Sequence, residues 1–151
     1  MICTVSHVVI CVENVERSVA FFDAVFETRP RYHQPGFAEY VFATQFRLAF
    51  FEPLGKTKQF FEAPTSRKGA SIGVTVTSVD ACYERTLAAR ERFGLSVSGP
   101  PKEHPWGEKS FLLIDPDGTR FEVTQSPSES GFLVETNPTQ SQQQPVTPKG
   151  T

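Results

Sequence analysis

The stretch Pro105-Trp106-Gly107-Glu108-Lys109-Ser110-Phe111-Leu112-Leu113-Ile114-Asp115-Pro116-Asp117-Gly118-Thr119-Arg120-Phe121-Glu122-Val123 decides the fold. It reads as two apolar strands joined by a tight Asp-Pro-Asp-Gly turn. Proline presets φ for the turn, and glycine supplies the positive φ that strains residues with a Cβ. Within the second strand a single carboxylate, Glu122, stands between Phe121 and Val123. An acid in an apolar strand is costly unless it is paired, hydrogen-bonded or bound to a metal.

Working outward, the same order of elements occurs twice. A strand over Thr4–Val12 leads to a helix from Asn14, whose side chain can cap it, to about Glu27. Val15, Val19, Phe22 and Phe26 recur at helical spacing and give that helix one apolar face. Short β segments follow over Arg31–His33, Phe37–Ala43 and Phe46–Glu52. The second half repeats this: a strand over Ile72–Val76, a helix from the cap Ser78 to Phe93 with Gly94 as its stop, then strands over Leu95–Ser98, Lys109–Ile114 and Thr119–Gln125. Its expected buried stripe is Val79, Tyr83 and Leu87, with Arg85, Arg90 and Arg92 on a solvated face. Val12-Glu13-Asn14-Val15 aligns with Val76-Thr77-Ser78-Val79 at an offset of 64 (76 − 12). Each half is a β-α-β-β-β unit, and a repeat constrains the architecture before any residue is given a role.

A chain of 151 residues is one ordinary domain, large enough to bury a core. Its net charge of −2 gives no basic footprint for nucleic acid or an anionic membrane surface. The three cysteines, Cys3, Cys11 and Cys82, are odd in number and lack a Cys-x-x-Cys pair, so reduced thiols in a cytoplasmic protein are expected. The start carries no basic leader or cleavage site, and no apolar run reaches membrane-spanning length. Pro53–Gly69 is polar and reads as the linker between the halves. Past Ser126 the chain is rich in Ser, Thr, Gln and Pro, a composition that buries little apolar surface. Residues 129–151 are expected to form a tail, with Phe132-Leu133-Val134 as its one docking candidate.

The phrase Pro-Trp-Gly, then Asp-Pro-Asp-Gly, then Phe-Glu-Val resembles the close of the second module in the vicinal oxygen chelate superfamily of glyoxalases, bleomycin-resistance proteins and extradiol dioxygenases. The resemblance covers Cys3 to Gln125. It implies an α+β fold in which two βαβββ modules form an open curved barrel around one cavity. Residues 1–128 then form one domain, with module one at about 3–53, a linker at 54–69 and module two at about 70–125. A homodimer is the assembly that the resemblance implies.

Strand alternation assigns side chains to faces. Val8, Ile10 and Val12 should face the helix, and Cys3, Val5, His7, Val9 and Cys11 the cavity. Arg47, Ala49 and Phe51, Ser71, Gly73 and Thr75, and Arg120, Glu122 and Thr124 are likewise cavity-facing. Metal enzymes of the family resembled carry ligands at four such positions, which map here to His7, Ala49, Ser71 and Glu122. Alanine cannot ligate and a serine hydroxyl is a poor ligand, so no metal is expected; if one binds, His7 and Glu122 would hold it. Glu52 has the wrong parity to add to that set, and His104 lies in a loop. Without metal, His7 and Glu122 could form an acid–base pair or a plain ion pair. Arg47 and Arg120 could clamp an anion or neutralise Glu122. Phe37, Tyr40, Phe42, Phe51, Phe60, Phe61 and Trp106 could stack on a flat ligand or bury a dimer interface.

Three functions follow from these readings. The preferred one is a metal-free binding protein for an apolar or aromatic small molecule, with Arg47, Phe51, Ser71, Thr75, Trp106 and Arg120 as ligand contacts. The second is a metal-dependent glyoxalase-like lyase, isomerase or dioxygenase. The third is a metal-free enzyme in which Glu122 or His7 moves a proton beside a stabilising arginine.

Overall fold

The computed structural model describes residue 3 and residues 5–62 and 69–125. Part of the expected linker, all of the expected tail and Phe132-Leu133-Val134 lie outside the described residues. Module one runs β1 (His7–Cys11), α1 (Val15–Phe26), β2 (Tyr32–Gln34), β3 (Phe37–Val41) and β4 (Arg47–Phe51). A short 3-10 helix, Gly55–Gln59, interrupts the linker. Module two runs β5 (Ile72–Thr75), α2 (Val79–Phe93), β6 (Ser96–Val97), β7 (Lys102–Glu103), β8 (Lys109–Ile114) and β9 (Arg120–Gln125). The order within the two sheets is β1-β4-β3-β2 and β5-β9-β8-β6, with β7 also paired to β8. In each module the first strand lies parallel to the last, and the other pairings are antiparallel. The architecture is the expected α+β arrangement of two βαβββ modules, with two open sheets and no closed barrel.

The repeat extends to the helix caps. Asn14 Oδ1 accepts the amide of Arg17 at 2.9 Å and Ser78 Oγ that of Ala81 at 3.2 Å. The last strand of each module closes the same helix end: Glu52 Oε2 accepts the Val15 amide at 3.3 Å, and Gln125 Oε1 the Val79 amide at 2.8 Å. The helix positions are 64 apart (79 − 15) and the strand positions 73 apart (125 − 52). Glu52 therefore has an architectural use, satisfying a helix N-terminal amide that has no partner within the helix.

Both modules share one core. Phe22 on α1 lies 4.7 Å from Tyr40 and 5.5 Å from Phe50 on its own sheet, and 5.8 Å from Phe121 on the other, ring centre to ring centre. Phe21 also reaches both sheets, through Phe50 and Phe121. At the end of α1 the carbonyl of Val25 accepts the Arg85 Nε–H at 2.9 Å and the Cys82 Sγ–H at 3.7 Å. Arg85 is thus not on a solvated face: it satisfies a last-turn carbonyl of α1 and meets Glu27 at 3.4 Å. The buried stripe of α2 is rotated from the expected one to Val79, Cys82, Thr86 and Phe93, because α2 packs on α1 as well as on its sheet. Burial pushes the Cys82 thiol pKa up, consistent with a packing role.

The quoted Asp-Pro-Asp-Gly turn joins the modules. Asp117 is buried; its Oδ1 accepts the Glu13 amide at 2.9 Å and its Oδ2 the Arg17 Nη2–H at 3.1 Å. The turn is closed by Gly118, whose φ of 78° suits glycine. Replacing Asp117 with Ala leaves a half-buried guanidinium and a backbone amide without their acceptor. It is expected to lower stability by roughly 1–3 kcal/mol in urea unfolding, with Asp117→Asn losing less; an unchanged midpoint for Asp117→Ala would show that the turn does not join the modules.

Candidate functional site

The sheet faces turned away from the core carry the residues that alternation singled out. On module one these are His7, Val9 and Cys11 of β1, Arg47, Ala49 and Phe51 of β4, and Phe37, Glu39 and Val41 of β3, as the register places them side by side. On module two they are Gly73 and Thr75 of β5, Arg120, Glu122 and Thr124 of β9, and Ser110 and Leu112 of β8. Their neighbours in sequence, Ile10, Leu48, Phe50, Phe121 and Val123, are buried in the core. Ala49 is only 2% exposed although it lies on the open face, being small and flanked by Val9 and Glu39.

A polar chain crosses the module-one face. Arg31 Nη2 donates to Glu39 Oε1 at 2.9 Å, and Arg47 Nη1 lies 3.5 Å from Glu39 Oε2. Arg47 Nη2 lies 3.2 Å from His7 Nδ1, which Ser6 Oγ also approaches at 2.8 Å. A guanidinium has no acceptor, so Nδ1 accepts and the ring proton sits on Nε2. Glu39 is the residue that the sequence reading passed over. It stands between Ala38 and Tyr40 in a strand, the same signal that drew attention to Glu122.

The residues chosen from sequence are not all brought together. His7 and Glu122 stand on different sheets and share no hydrogen bond or ion pair; Glu122 is exposed and has neither with any described residue. Arg120 Nη1 donates to the Gly118 carbonyl at 3.1 Å, so Arg47 and Arg120 are each engaged locally instead of forming a clamp. Phe51 meets Phe61 edge to face at 5.9 Å. Trp106, 68% exposed, stacks at 4.6 Å on His104, whose Nε2 lies 2.7 Å from Ser110 Oγ. Ser71 is exposed just before β5.

The cleft between the modules lies elsewhere, at the free edge of β5. It holds about 390 Å³ between the β3–β4 turn (Phe42, Ala43, Thr44, Phe46), Leu48, and Ile72, Gly73, Val74 and Thr75. Of the six ligand contacts expected from sequence, Thr75 reaches its wall, together with Phe42 from the stacking candidates and Gly73 from the cavity-facing set. The repeat explains why space remains. The turn closed by Phe42 N–H to Phe46 C=O (3.0 Å) and Gln45 N–H to Phe42 C=O (2.8 Å) matches the turn closed by Asp115 and Thr119 in module two. Thr44 occupies the position of Asp117, 73 residues earlier (117 − 44), and Gly73 that of Val9, 64 residues later (73 − 9). Where module two inserts a carboxylate into a clamp, module one offers a short hydroxyl and no Cβ. Among the described residues no ionisable side chain lines this cleft; their polar groups there are the two threonine hydroxyls and backbone. A second cleft of about 360 Å³ lies by Glu13, Glu52, Lys58 and Phe61.

The four family ligand positions do not fit a divalent ion within this chain. Of the four, Ala49 offers no donor, Ser71 offers only a hydroxyl, and His7 and Glu122 stand on different sheets; of the two neighbours weighed beside them, Glu52 is committed to the α1 amide and His104 lies against Ser110. Among the described residues no group of three His, Cys, Asp or Glu side chains is placed to hold a metal.

Two like-built modules on one core, with open faces and an intermodular cleft, define a class of small paired-βαβββ domains. The chain belongs to the Glyoxalase/Bleomycin resistance protein/Dioxygenase superfamily, whose family model matches residues 4–123. Solved structures of like fold include a glyoxalase-related enzyme from Fulvimarina pelagi, at 21% identity over 83% of this chain and 90% of that one, with a TM-score of 0.69. A glyoxalase/bleomycin resistance protein from Albidiferax ferrireducens T118 is 22% identical over 82% of this chain and 98% of that one, TM-score 0.64. The fosfomycin resistance protein FosX from Listeria monocytogenes is 20% identical over 85% and 98%, TM-score 0.63. No curated protein matches the sequence. At these identities the structures show the fold alone.

Proposed function

We propose that this domain binds an uncharged, largely apolar or aromatic small molecule in the cleft between the β3–β4 turn and β5, without a metal ion. The observation that carries the reading is the composition of the wall: among the described residues it is phenylalanine, leucine, isoleucine and valine side chains, two hydroxyls and no acid or base. A volume of about 390 Å³ suits a ligand of drug size. Such a wall can desolvate and orient a ligand, but it holds no group to move a proton or stabilise a developing charge. Open sheet faces and an exposed Val9 support assembly as a homodimer, and the absence of fixed charge in the cleft supports sequestration or carriage over catalysis.

Three measurements check this. A Cβ at Gly73 would meet nothing within 4 Å, so Gly73→Leu is expected to fold with a change of roughly 0.5 kcal/mol or less while filling the cleft. It should abolish the fluorescence response of a neutral naphthylamine probe that the wild type binds. Phe121→Ala, in the core, should instead cost roughly 3–5 kcal/mol of stability. Gly73→Leu binding the probe as the wild type does would place the ligand elsewhere. Elemental analysis for Ni, Zn, Fe and Mn should find substoichiometric metal after purification; one tightly held equivalent that is lost on His7→Ala would overturn the metal-free reading.

A further inference from the structure

β5 is the outer strand of its sheet, and its free edge forms one side of the cleft. The amide of Val76 donates to the Thr124 carbonyl at 2.9 Å, which fixes the alternation along the strand. Ile72 and Val74 direct their N–H and C=O groups to β9, so those of Gly73 and Thr75 point the other way, to the side of the cleft. Among the described residues nothing pairs with these four groups. Backbone donors and acceptors lose their water when a ligand enters an apolar cleft, and a ligand that pairs them avoids that cost.

Gly73 is the position where a ligand reaches that edge. A glycine inside a strand serves a positive φ, a bulge or a close approach by another molecule or backbone. Gly73 is not among the glycines with positive φ. Its strand pairs with β9 one residue to one from Ile72 to Thr75, with no bulge. Packing does not demand a glycine either, since a Cβ there would meet nothing within 4 Å. Close approach remains: without a side chain, a flat molecule can lie against the strand and meet its backbone groups. Thr75 is less open, being branched, with its Oγ1 3.3 Å from Thr124 Oγ1. In module one the matching position is filled by Val9.

We propose that the ligand of the cleft carries an amide-type edge, an N–H beside a C=O on a flat ring as in an aromatic lactam, and pairs it with the C=O and N–H of Gly73. The inference rests on the cleft reading given above and adds the polar chemistry of the ligand. The two backbone groups of one extended residue point to the same side, so Gly73 presents a donor and an acceptor together. An antiparallel partner residue answers that pair with its own acceptor and donor, and a lactam does the same in a rigid frame. A lactam is also neutral, so entering a wall without charged side chains leaves no ion to desolvate. The space of about 390 Å³ suits a bicyclic molecule, and an edge with two outward-facing residues is short for a peptide strand.

The test compares 2-quinolone, a bicyclic lactam, with N-methyl-2-quinolone, which keeps the rings and the carbonyl and lacks the N–H. The full-length protein should bind 2-quinolone about tenfold more tightly than the methylated compound. Bound 2-quinolone should move the Gly73 amide proton downfield, as donation to the lactam carbonyl requires, and leave the core amide of Phe22 unchanged. Equal binding of the two quinolones, with the cleft amides shifted by both, would keep the cleft reading and overturn the lactam pairing. Cleft amides unmoved by naphthylamine and by both quinolones would reject the cleft reading and this inference with it. Without ligand, the Gly73 amide should exchange freely with solvent. Slow exchange there would overturn the proposal, because the edge would already be paired, by a second copy if the protection falls on dilution.

Discussion

Phe22 has to satisfy two sheets at once. Its ring meets Tyr40 and Phe50 on one side and Phe121 on the other, so neither module can move without opening the core of its partner. Rings at these separations and tilts gain edge-to-face attraction beyond the area they bury. Seating α1 where its rings reach both sheets has a geometric consequence. The helix-facing surfaces are consumed by one core, the opposite surfaces turn outward, and each module's last turn is carried to the first strand of the other.

Those two intermodular junctions begin from the same design and end differently. In one, Asp117 reaches across to Arg17 and the Glu13 amide and closes the gap. In the other, Thr44 stands in the place of Asp117 and Gly73 in that of Val9, and the gap stays open as an apolar cleft. Asp117 holds one junction; at the other, a hydroxyl stands in place of the carboxylate and a glycine in place of a valine, and the space between the modules stays open.

The repeat was legible in the chain because caps, helix faces and turns recur at fixed offsets, and local signals of that kind survive without tertiary context. Strand faces were legible for the same reason: Ile10, Leu48, Phe121 and Val123 alternate with polar or small residues. Alternation, however, says which face a residue takes and nothing about which strand edge is free. The cleft lies at the edge of β5, and edges follow from sheet order, so five of the six expected ligand contacts fall outside it. Arg85 was misplaced on a solvated face because its partner is a backbone carbonyl 60 residues away, at the end of another helix. β7 escaped notice since two residues, Lys102 and Glu103, cannot display a period.

The central claim is that ligand recognition belongs to the apolar cleft and not to the polar residues of the sheet faces. Mapping amide chemical shifts as the neutral naphthylamine is titrated into the full-length protein tests it directly. The account predicts the largest shifts at Ala43, Thr44, Gly73 and Thr75, with little change at His7, Arg47, Arg120 and Glu122. Shifts concentrated on those four residues, with the cleft silent, would contradict it.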